Sequence, residues 1–230
     1  MLLIAHRGAS GLAPENTLKA FHLALEQGVA AIELDVQYAD GELWVFHDRR
    51  LERCTNGHGV LTRQSREYLA GLDAGDGEPI PTLWQVMTLV AGRCDLHIEL
   101  KGPDTAQPVA ELMRRAEIEL KVGPQRWLVS SFDHRELLHF QRLRPEVRLG
   151  ALIAGVPRHL ARFAAEMGCW SINCDVDFVD GELVNDAHTR GLKVLVYTVD
   201  KPEEWQWLAE IGVDGIFTNH PERATLPSAN

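Results

Sequence analysis

Three acidic side chains fall in segments that have the composition of buried β-strands. Glu33 and Asp35 lie two residues apart in the apolar run 31–36, so they project from the same face of a strand, and Glu99 lies in a similar run at 95–101. Carboxylates on one buried face repel each other unless a proton or a cation lies between them. Oxygen donors suit a hard ion, so these residues predict a site for one divalent cation, Mg²⁺ or Ca²⁺, with Mn²⁺ as a further candidate. A structural ion network with Arg or Lys is the alternative.

Two histidines also end predicted strands. His6 ends the first apolar run of the chain, and His47 ends the run 43–47. The Asp40-Gly41 pair predicts a hairpin that folds this second run back onto 31–36, with paired positions summing to about 80 or 81. His47 therefore returns to the edge that carries the carboxylates. Two imidazoles there could bind the metal or act as general acid and general base, and the acidic oxygens already present favour acid–base catalysis.

Two cationic side chains complete this constellation. Arg7 directly follows His6, and Lys101 lies two residues after Glu99. A guanidinium forks onto phosphate oxygens and an ammonium adds a point charge, so beside a divalent cation they favour a phosphate ester as substrate. The alternative is that both cations only neutralise the carboxylates.

The elements that must position these residues alternate regularly. Strand-length apolar runs alternate with stretches of helical period, which is typical of βα units around a parallel sheet. Eight such units in this length predict a (β/α)₈ TIM barrel, whose active site lies at the carboxyl ends of the strands. The strands are expected at 2–6, 31–36, 95–101, 126–131, 147–153, 170–174, 192–197 and 213–217. The helices are expected at 15–27, 83–91, 105–121, 134–143, 157–167, 182–190, 202–211 and after Pro221.

Two segments of the chain are not part of these eight strand–helix units. The run 43–47 is expected as an antiparallel arm on the second strand, because its link is too short for a parallel crossover. Residues 48–81 are rich in Gly and polar residues and are expected to form a small insertion after strand 2 that shapes the pocket. The whole chain, 1–230, is expected to form one catalytic domain.

The amino-acid composition limits the kinds of molecule that the protein is expected to bind and where it is expected to be found. The chain has 23 Lys+Arg against 33 Asp+Glu, a formal net charge of −10, and this acidic excess argues against nucleic acid as a partner. The N-terminal apolar run is too short for a signal sequence, and no run has the length of a membrane span, so a cytoplasmic protein is expected. The oligomeric state stays open, and a homo-oligomer is compatible with the sequence. The four cysteines show no metal-site spacing and are expected as buried thiols.

Short motifs along nearly the whole chain resemble the glycerophosphodiester phosphodiesterase family. The order in which these motifs occur identifies the family more specifically than any single motif does. They are His6-Arg7-Gly8, Pro14-Glu15-Asn16-Thr17, Glu33-x-Asp35-Val36, Asp40-Gly41, His47-Asp48, His97-Ile98-Glu99-Leu100-Lys101, Ser130-Ser131-Phe132, Tyr197-Thr198-Val199-Asp200 and Asp214-Gly215-Ile216-Phe217-Thr218. The chain departs from the family pattern at Tyr38-Ala39 and at Asn219, where an Asp commonly follows the Thr.

The resemblance implies a barrel with an insertion after strand 2 and metal-dependent hydrolysis of glycerophosphodiesters to sn-glycerol 3-phosphate and an alcohol. By this resemblance the acid–base pair is His6 and His47, the phosphate contacts are Arg7 and Lys101, and the metal ligands are Glu33, Asp35 and Glu99. The substrate would be a small-molecule glycerophosphodiester. Two alternatives remain: a phospholipase D-like lyase acting on lysophospholipid or sphingomyelin head groups, and a non-catalytic barrel that binds a phosphate ligand.

Overall fold

The computed structural model describes residues 1–223, and its central element is a closed ring of parallel strands. β1 pairs with both β2 and β9, which closes the barrel, and β3 pairs antiparallel with β2 outside the ring. The predicted (β/α)₈ TIM barrel is therefore confirmed. The strands are β1 Leu2–Ala5, β2 Ala31–Ala39, β3 Glu42–Val45, β4 Asp95–Leu100, β5 Trp127–Ser131, β6 Arg148–Ile153, β7 Ser171–Asp175, β8 Lys193–Tyr197 and β9 Gly215–Thr218.

Helices connect the strands on the outside of the ring. Short 3₁₀ turns lie at Leu61–Arg63, Pro124–Arg126, Val176–Phe178 and Pro221–Arg223. The α-helices are α1 Leu18–Glu26, α2 Arg66–Ala70, α3 Leu83–Val90, α4 Ala106–Glu119, α5 His134–Leu143, α6 Arg162–Glu166, α7 Gly181–Thr189 and α8 Pro202–Glu210. No helix formed by residues 1–223 is both long and apolar enough to cross a membrane.

Two helices, α1 and α6, begin three or more residues later than the sequence predicts. α1 begins at Leu18 because the Thr17 hydroxyl caps it by accepting a hydrogen bond from the backbone N–H of Ala20. Glu15 therefore lies in the loop before the helix and not in its first turn. α6 covers only the second half of the predicted 157–167 segment, since Leu160 has φ of +48°, which no helical residue adopts.

The hairpin after β2 has the predicted register. Val36 pairs with Val45 and Gln37 with Trp44, so paired positions sum to 81. The regular ladder ends at Val45, but the backbone N–H of Phe46 still donates to the carbonyl of Asp35. This contact directs the chain toward the carboxyl end of the barrel one residue before it reaches His47.

Three apolar clusters support the structure. The largest fills the space between the strands and the surrounding helices. A small one lies among strand residues of the ring and consists of Ile4, Ala31, Leu128, Leu195 and Phe217. The third belongs largely to the insertion and consists of Ala39, Trp44, Phe46, Leu51, Leu61, Leu69, Leu72, Ala74 and Ile80. Residues 48–81 thus pack through apolar side chains of their own against the β2–β3 arm. We keep one domain as our proposal, and residues 224–230 of it lie outside the described part of the chain.

Candidate active site

The predicted site residues meet at the carboxyl end of the barrel. Six of the seven line one cavity of about 410 Å³, namely His6, Arg7, Glu33, His47, Glu99 and Lys101. The seventh, Asp35, is 1% exposed and lies against the other two carboxylates. The remaining lining residues come from the later strands and the loops after them: Ser130, Phe132, Leu152, Asp175, Val176, Asp177, Tyr197, Thr198 and Phe217.

The three carboxylates form a compact buried cluster. In the parallel pairing of β2 with β4, Asp35 lies opposite Glu99 and Glu33 lies two residues before Asp35 on the same face. One oxygen of each residue lies within 4.8 Å of the others. Burial, together with the charge of neighbouring carboxylates, raises the pKa of Glu33 well above its ordinary value and the pKa of Glu99 to about 7. The cluster therefore resists carrying its full negative charge unaided.

Neighbouring groups balance this charge only in part. Lys101 Nζ lies 2.9 Å from Glu99, and Arg7 Nε lies 3.3 Å from Asp35. The backbone N–H of Arg7 donates to Glu33 at 3.0 Å. Asp35 Oδ1 is nevertheless buried without a hydrogen-bond partner. The ion network expected as the alternative thus exists, but it leaves an oxygen unsatisfied among hard donors, and the cluster fits a divalent cation.

The raised pKa values predict how the stability of the metal-free protein depends on pH. A carboxyl whose pKa is higher in the folded state binds more protons there, so its contribution to stability is full below the unfolded value, near 4.5, and is lost as the pH rises toward 7. For Glu99 this loss is at most roughly 3 kcal/mol. The lowered pKa values of His6 and His97 change the stability in the opposite direction over this range, so the Glu99 contribution is measured as the difference between the unaltered protein and Glu99→Gln. In urea unfolding of both proteins after chelator treatment, the stability of the unaltered protein relative to Glu99→Gln should be lower at pH 7.5 than at pH 5, and a divalent ion should restore the stability of the unaltered protein at pH 7.5. The same difference at both pH values without metal would contradict this expectation.

His6 directly follows β1 and is held in one tautomer by Asn219, which directly follows β9. Nδ1 of His6 lies 2.7 Å from the side-chain oxygen of Asn219, whose own amide N–H donates to Asp200 at 2.7 Å. An amide oxygen only accepts, so Nδ1 of His6 carries the hydrogen and Nε2, 4.0 Å from Glu33, has the lone pair. Burial, with the charge of Arg7, lowers the pKa of His6 to about 4. His6 is therefore a neutral imidazole at neutral pH.

His47 is oriented by the residue that follows it. Its Nδ1 lies 2.6 Å from Oδ1 of Asp48, which accepts the hydrogen of this nitrogen and leaves Nε2 free. Because a carboxylate accepts this hydrogen bond from a neutral or a protonated ring, His47 can change its protonation state without losing its orientation. The two histidines thus differ in their supporting groups: an amide oxygen holds His6 and a carboxylate holds His47.

A residue of the insertion connects the supports of His47 and Arg7. Arg53 donates to both oxygens of Asp48 and to both oxygens of Glu15. Glu15 in turn accepts from Arg7 Nη1 at 2.7 Å. The hydrogen bond from Arg53 lowers the pKa of Asp48 to about 2. Burial opposes ionisation of Glu15, but hydrogen bonds from Arg53 and Arg7 outweigh it and lower its pKa to about 2 as well.

Close packing fixes the loop that carries Arg7. Gly8 has φ of +80°, and a Cβ there would lie 2.7 Å from the backbone of Ala20 in α1, so only glycine fits. Asn16, from the same loop region, donates its side-chain N–H to Asp35 at 2.9 Å. These contacts hold the guanidinium of Arg7 between Glu15 and Asp35.

Sequence reasoning gave no role to Glu15, Asn16, Asp48, Arg53 or Asn219, although all except Arg53 lie in motifs that it identified. Phe132 and Tyr197 belong to two further motifs, and both line the cavity with their rings in an edge contact, 6.0 Å between centroids. Sequence reasoning did not anticipate Asp175 and Asp177 on the same side of the cavity.

Comparison with known proteins agrees with this geometry. Residues 6–223 match the model of the glycerophosphoryl diester phosphodiesterase family. A glycerophosphodiester phosphodiesterase of Caldanaerobacter subterraneus is 36% identical, over 96% of this chain and 95% of that protein. A phosphodiesterase of Oleispira antarctica, solved in complex with the product sn-glycerol-3-phosphate, has a TM-score of 0.89 at 30% identity, covering 96% of this chain and 94% of that one. A Thermotoga maritima glycerophosphodiester phosphodiesterase has a TM-score of 0.80 at 25% identity, covering 96% of each chain. The resemblance seen in the motifs is confirmed: the chain belongs to the glycerophosphoryl diester phosphodiesterase family.

Proposed function

We propose that this protein hydrolyses glycerophosphodiesters to sn-glycerol 3-phosphate and an alcohol, with the help of one divalent cation and two histidines. The observation that carries the proposal is the convergence of three carboxylates, two imidazoles and two cationic side chains on one cavity. The names of the relatives support the substrate class, and the Oleispira structure supports the product.

Glu33, Asp35 and Glu99 would hold the ion, and their oxygen donors suit Mg²⁺ or Ca²⁺, with Mn²⁺ also compatible. Such an ion, when bound, polarises phosphoryl oxygens and offsets the negative charge that develops on them. Arg7 and Lys101 line the same cavity and contribute the fixed positive charge that a phosphodiester needs. Arg7 donates from Nη1 to Glu15, and its Nε lies 3.3 Å from Asp35 without forming a hydrogen bond, so Nη2 is left to contact a phosphate oxygen.

The hydrogen-bond partners of the two histidines suggest how they share the proton transfers. His6 has a lone pair on Nε2 and removes a proton from the attacking oxygen, either of water or of the neighbouring glycerol hydroxyl. His47, supported by the carboxylate of Asp48, gives a proton to the departing alkoxide. If the glycerol hydroxyl attacks, a cyclic phosphate forms first, and water opens it with the two histidines in exchanged roles.

The direct test is hydrolysis of glycerophosphocholine with Mg²⁺, Mn²⁺ or Ca²⁺, coupled to glycerol-3-phosphate dehydrogenase. We expect release of glycerol 3-phosphate with at least one metal. No product with any metal, from folded protein, would contradict the proposal. Phosphorus NMR of this reaction, and of a reaction with lysophosphatidylcholine, distinguishes hydrolysis from the lyase alternative. A lyase would leave a cyclic phosphate as its final product.

Arg53 should contribute to turnover although it does not line the catalytic cavity. We expect Arg53→Ala to lower kcat about 10- to 100-fold, because Asp48 and Glu15 lose their shared partner and the ring of His47 and the guanidinium of Arg7 lose their fixed positions. Arg53→Lys should recover part of the loss. Arg50→Ala is the matched control, since Arg50 pairs only with Glu52. Loss of activity in proportion to loss of folded protein would contradict a positioning role.

A further inference from the structure

A second cavity adjoins the catalytic one. Its volume is about 510 Å³, and it shares His47 and Lys101 with the catalytic cavity, so the two meet at these side chains. We call it the basic groove. Its other lining residues come from β2, from the insertion and from the loop between β4 and α4: Gln37, Asp48, Arg49, Val60, Thr62, Arg63, Gly102 and Pro103.

Two arginines in the basic groove have no acidic partner among residues 1–223. Neither Arg49 nor Arg63 forms an ion pair or donates a side-chain hydrogen bond there. Their neighbours do: Arg50 pairs with Glu52, and Arg66 pairs with Glu42. Two free guanidinium groups facing one cavity are notable in a chain whose net charge is −10.

Backbone pairing keeps these arginines at the rim of the groove. Arg50 and Val60 form an antiparallel bridge, and the N–H of Leu61 donates to the carbonyl of Arg49 at 3.1 Å. Leu61 is fully buried in the apolar cluster of the insertion, which anchors the segment that carries Arg63. The acidic residue lining the groove, Asp48, already accepts two hydrogen bonds from Arg53. The groove therefore presents positive charge toward a ligand, on two side chains whose backbone is anchored.

We propose that the basic groove binds a second phosphate group, carried on the alcohol part of a glycerophosphodiester substrate. This inference rests on the proposed function, because it places the scissile phosphodiester in the catalytic cavity beside Arg7 and Lys101. The alcohol leaves on the side of His47, and the groove begins at that residue. The other side of the catalytic cavity carries Asp175 and Asp177, which repel an anion. Substrates with a phosphorylated alcohol are therefore favoured over those with an uncharged alcohol.

Competition kinetics test this proposal. Glycerophosphocholine is the reporter substrate of the metal-loaded enzyme, and the competitors are glycerophosphoinositol and glycerophosphoinositol 4-phosphate, which differ by one phosphate. We expect the phosphorylated competitor to have an inhibition constant about fivefold lower, with the preference shrinking at high salt. In the Arg49→Gln/Arg63→Gln double variant the ratio should fall to about one. Arg50→Gln, next in the chain but outside the groove, should keep it.

A second pair of competitors identifies the kind of phosphate. Bis(glycerophospho)glycerol has one more phosphate than glycerophosphoglycerol, and this phosphate is a diester. If the enzyme also prefers the first of these two competitors, the basic groove accepts phosphodiesters as well as phosphomonoesters. Three results would overturn the proposal. The first is equal inhibition by the two members of each pair in the unaltered enzyme, and the second is a preference that survives in the double variant. The third is that the double variant binds both members of a pair more weakly by the same factor. If glycerophosphocholine is not hydrolysed, that result counts against the proposed function and not against the groove. The affinities of the same competitors for the metal-loaded protein would then be compared by calorimetric titration.

Discussion

Replacing His47 by alanine is expected to lower kcat about 10²- to 10⁴-fold, the range that a positioned general acid contributes. The proposed role also predicts how this loss depends on the substrate. A p-nitrophenyl ester of glycerol 3-phosphate has a leaving group that departs without a proton, so His47→Ala should lose much less activity on it than on glycerophosphocholine. His6→Ala should lose activity on both substrates, because a base is needed whichever group leaves.

Thermal unfolding separates this effect from damage to the fold. The side chain of His47 is partly exposed and its one hydrogen bond goes to the neighbouring Asp48, so we expect its removal to change the free energy of unfolding by less than about 1 kcal/mol. His22→Ala is the matched control, because His22 lies exposed on α1 and pairs only with Glu26. An equal loss on both esters would contradict the assignment of His47 as the acid, and a large loss of stability would favour a structural role.

Glu99→Gln is expected to have the second large effect. It removes one charge from the cluster proposed to hold the ion, and we expect kcat/KM at a fixed metal concentration to fall about 10³-fold, with part of the loss recovered at high metal. The same change should raise the stability of the metal-free protein near pH 7.5, because burial and the repulsion from Asp35 that raise the pKa of Glu99 no longer act on a charge. A variant that is more stable and less active is the signature of a functional cluster held under repulsion.

Two measurements check this pair of effects. Glu111→Gln, on the exposed face of α4, is the control for a glutamate-to-glutamine change and should alter neither property. Isothermal titration in buffers of different ionisation enthalpy should show fewer protons released on metal binding by Glu99→Gln than by the unaltered protein, since Glu99 has a pKa of about 7. Unchanged proton release and unchanged activity would exclude Glu99 as a ligand.

The barrel and the predicted site residues could be read from the sequence because both follow from local patterns. Strand-length apolar runs determine the ring, and polar residues at their carboxyl ends must converge when the strands are parallel. Asp40-Gly41 fixes the register of the arm, so the return of His47 to the site was predictable from a two-residue signal.

The supporting residues could not be read in the same way, because they depend on contacts between distant segments. Glu15 and Arg53 are separated by 38 residues, and no periodic pattern links them. Glu15 also begins the helix predicted at 15–27, whereas the cap formed by Thr17 leaves it in a loop. The five-residue helix α2, capped by Ser65, is too short to produce a recognisable hydrophobic period.

The four hydrogen bonds of Arg53 have a consequence for engineering this family. A chimera that received residues 48–81 from this chain would acquire Arg53 together with Asp48, but the partner at position 15 would come from the recipient's own β1–α1 loop. Half of the hydrogen bonds of Arg53 would then depend on whether that loop places its carboxylate as Glu15 is placed here. Grafts intended to change substrate preference should therefore exchange both segments together.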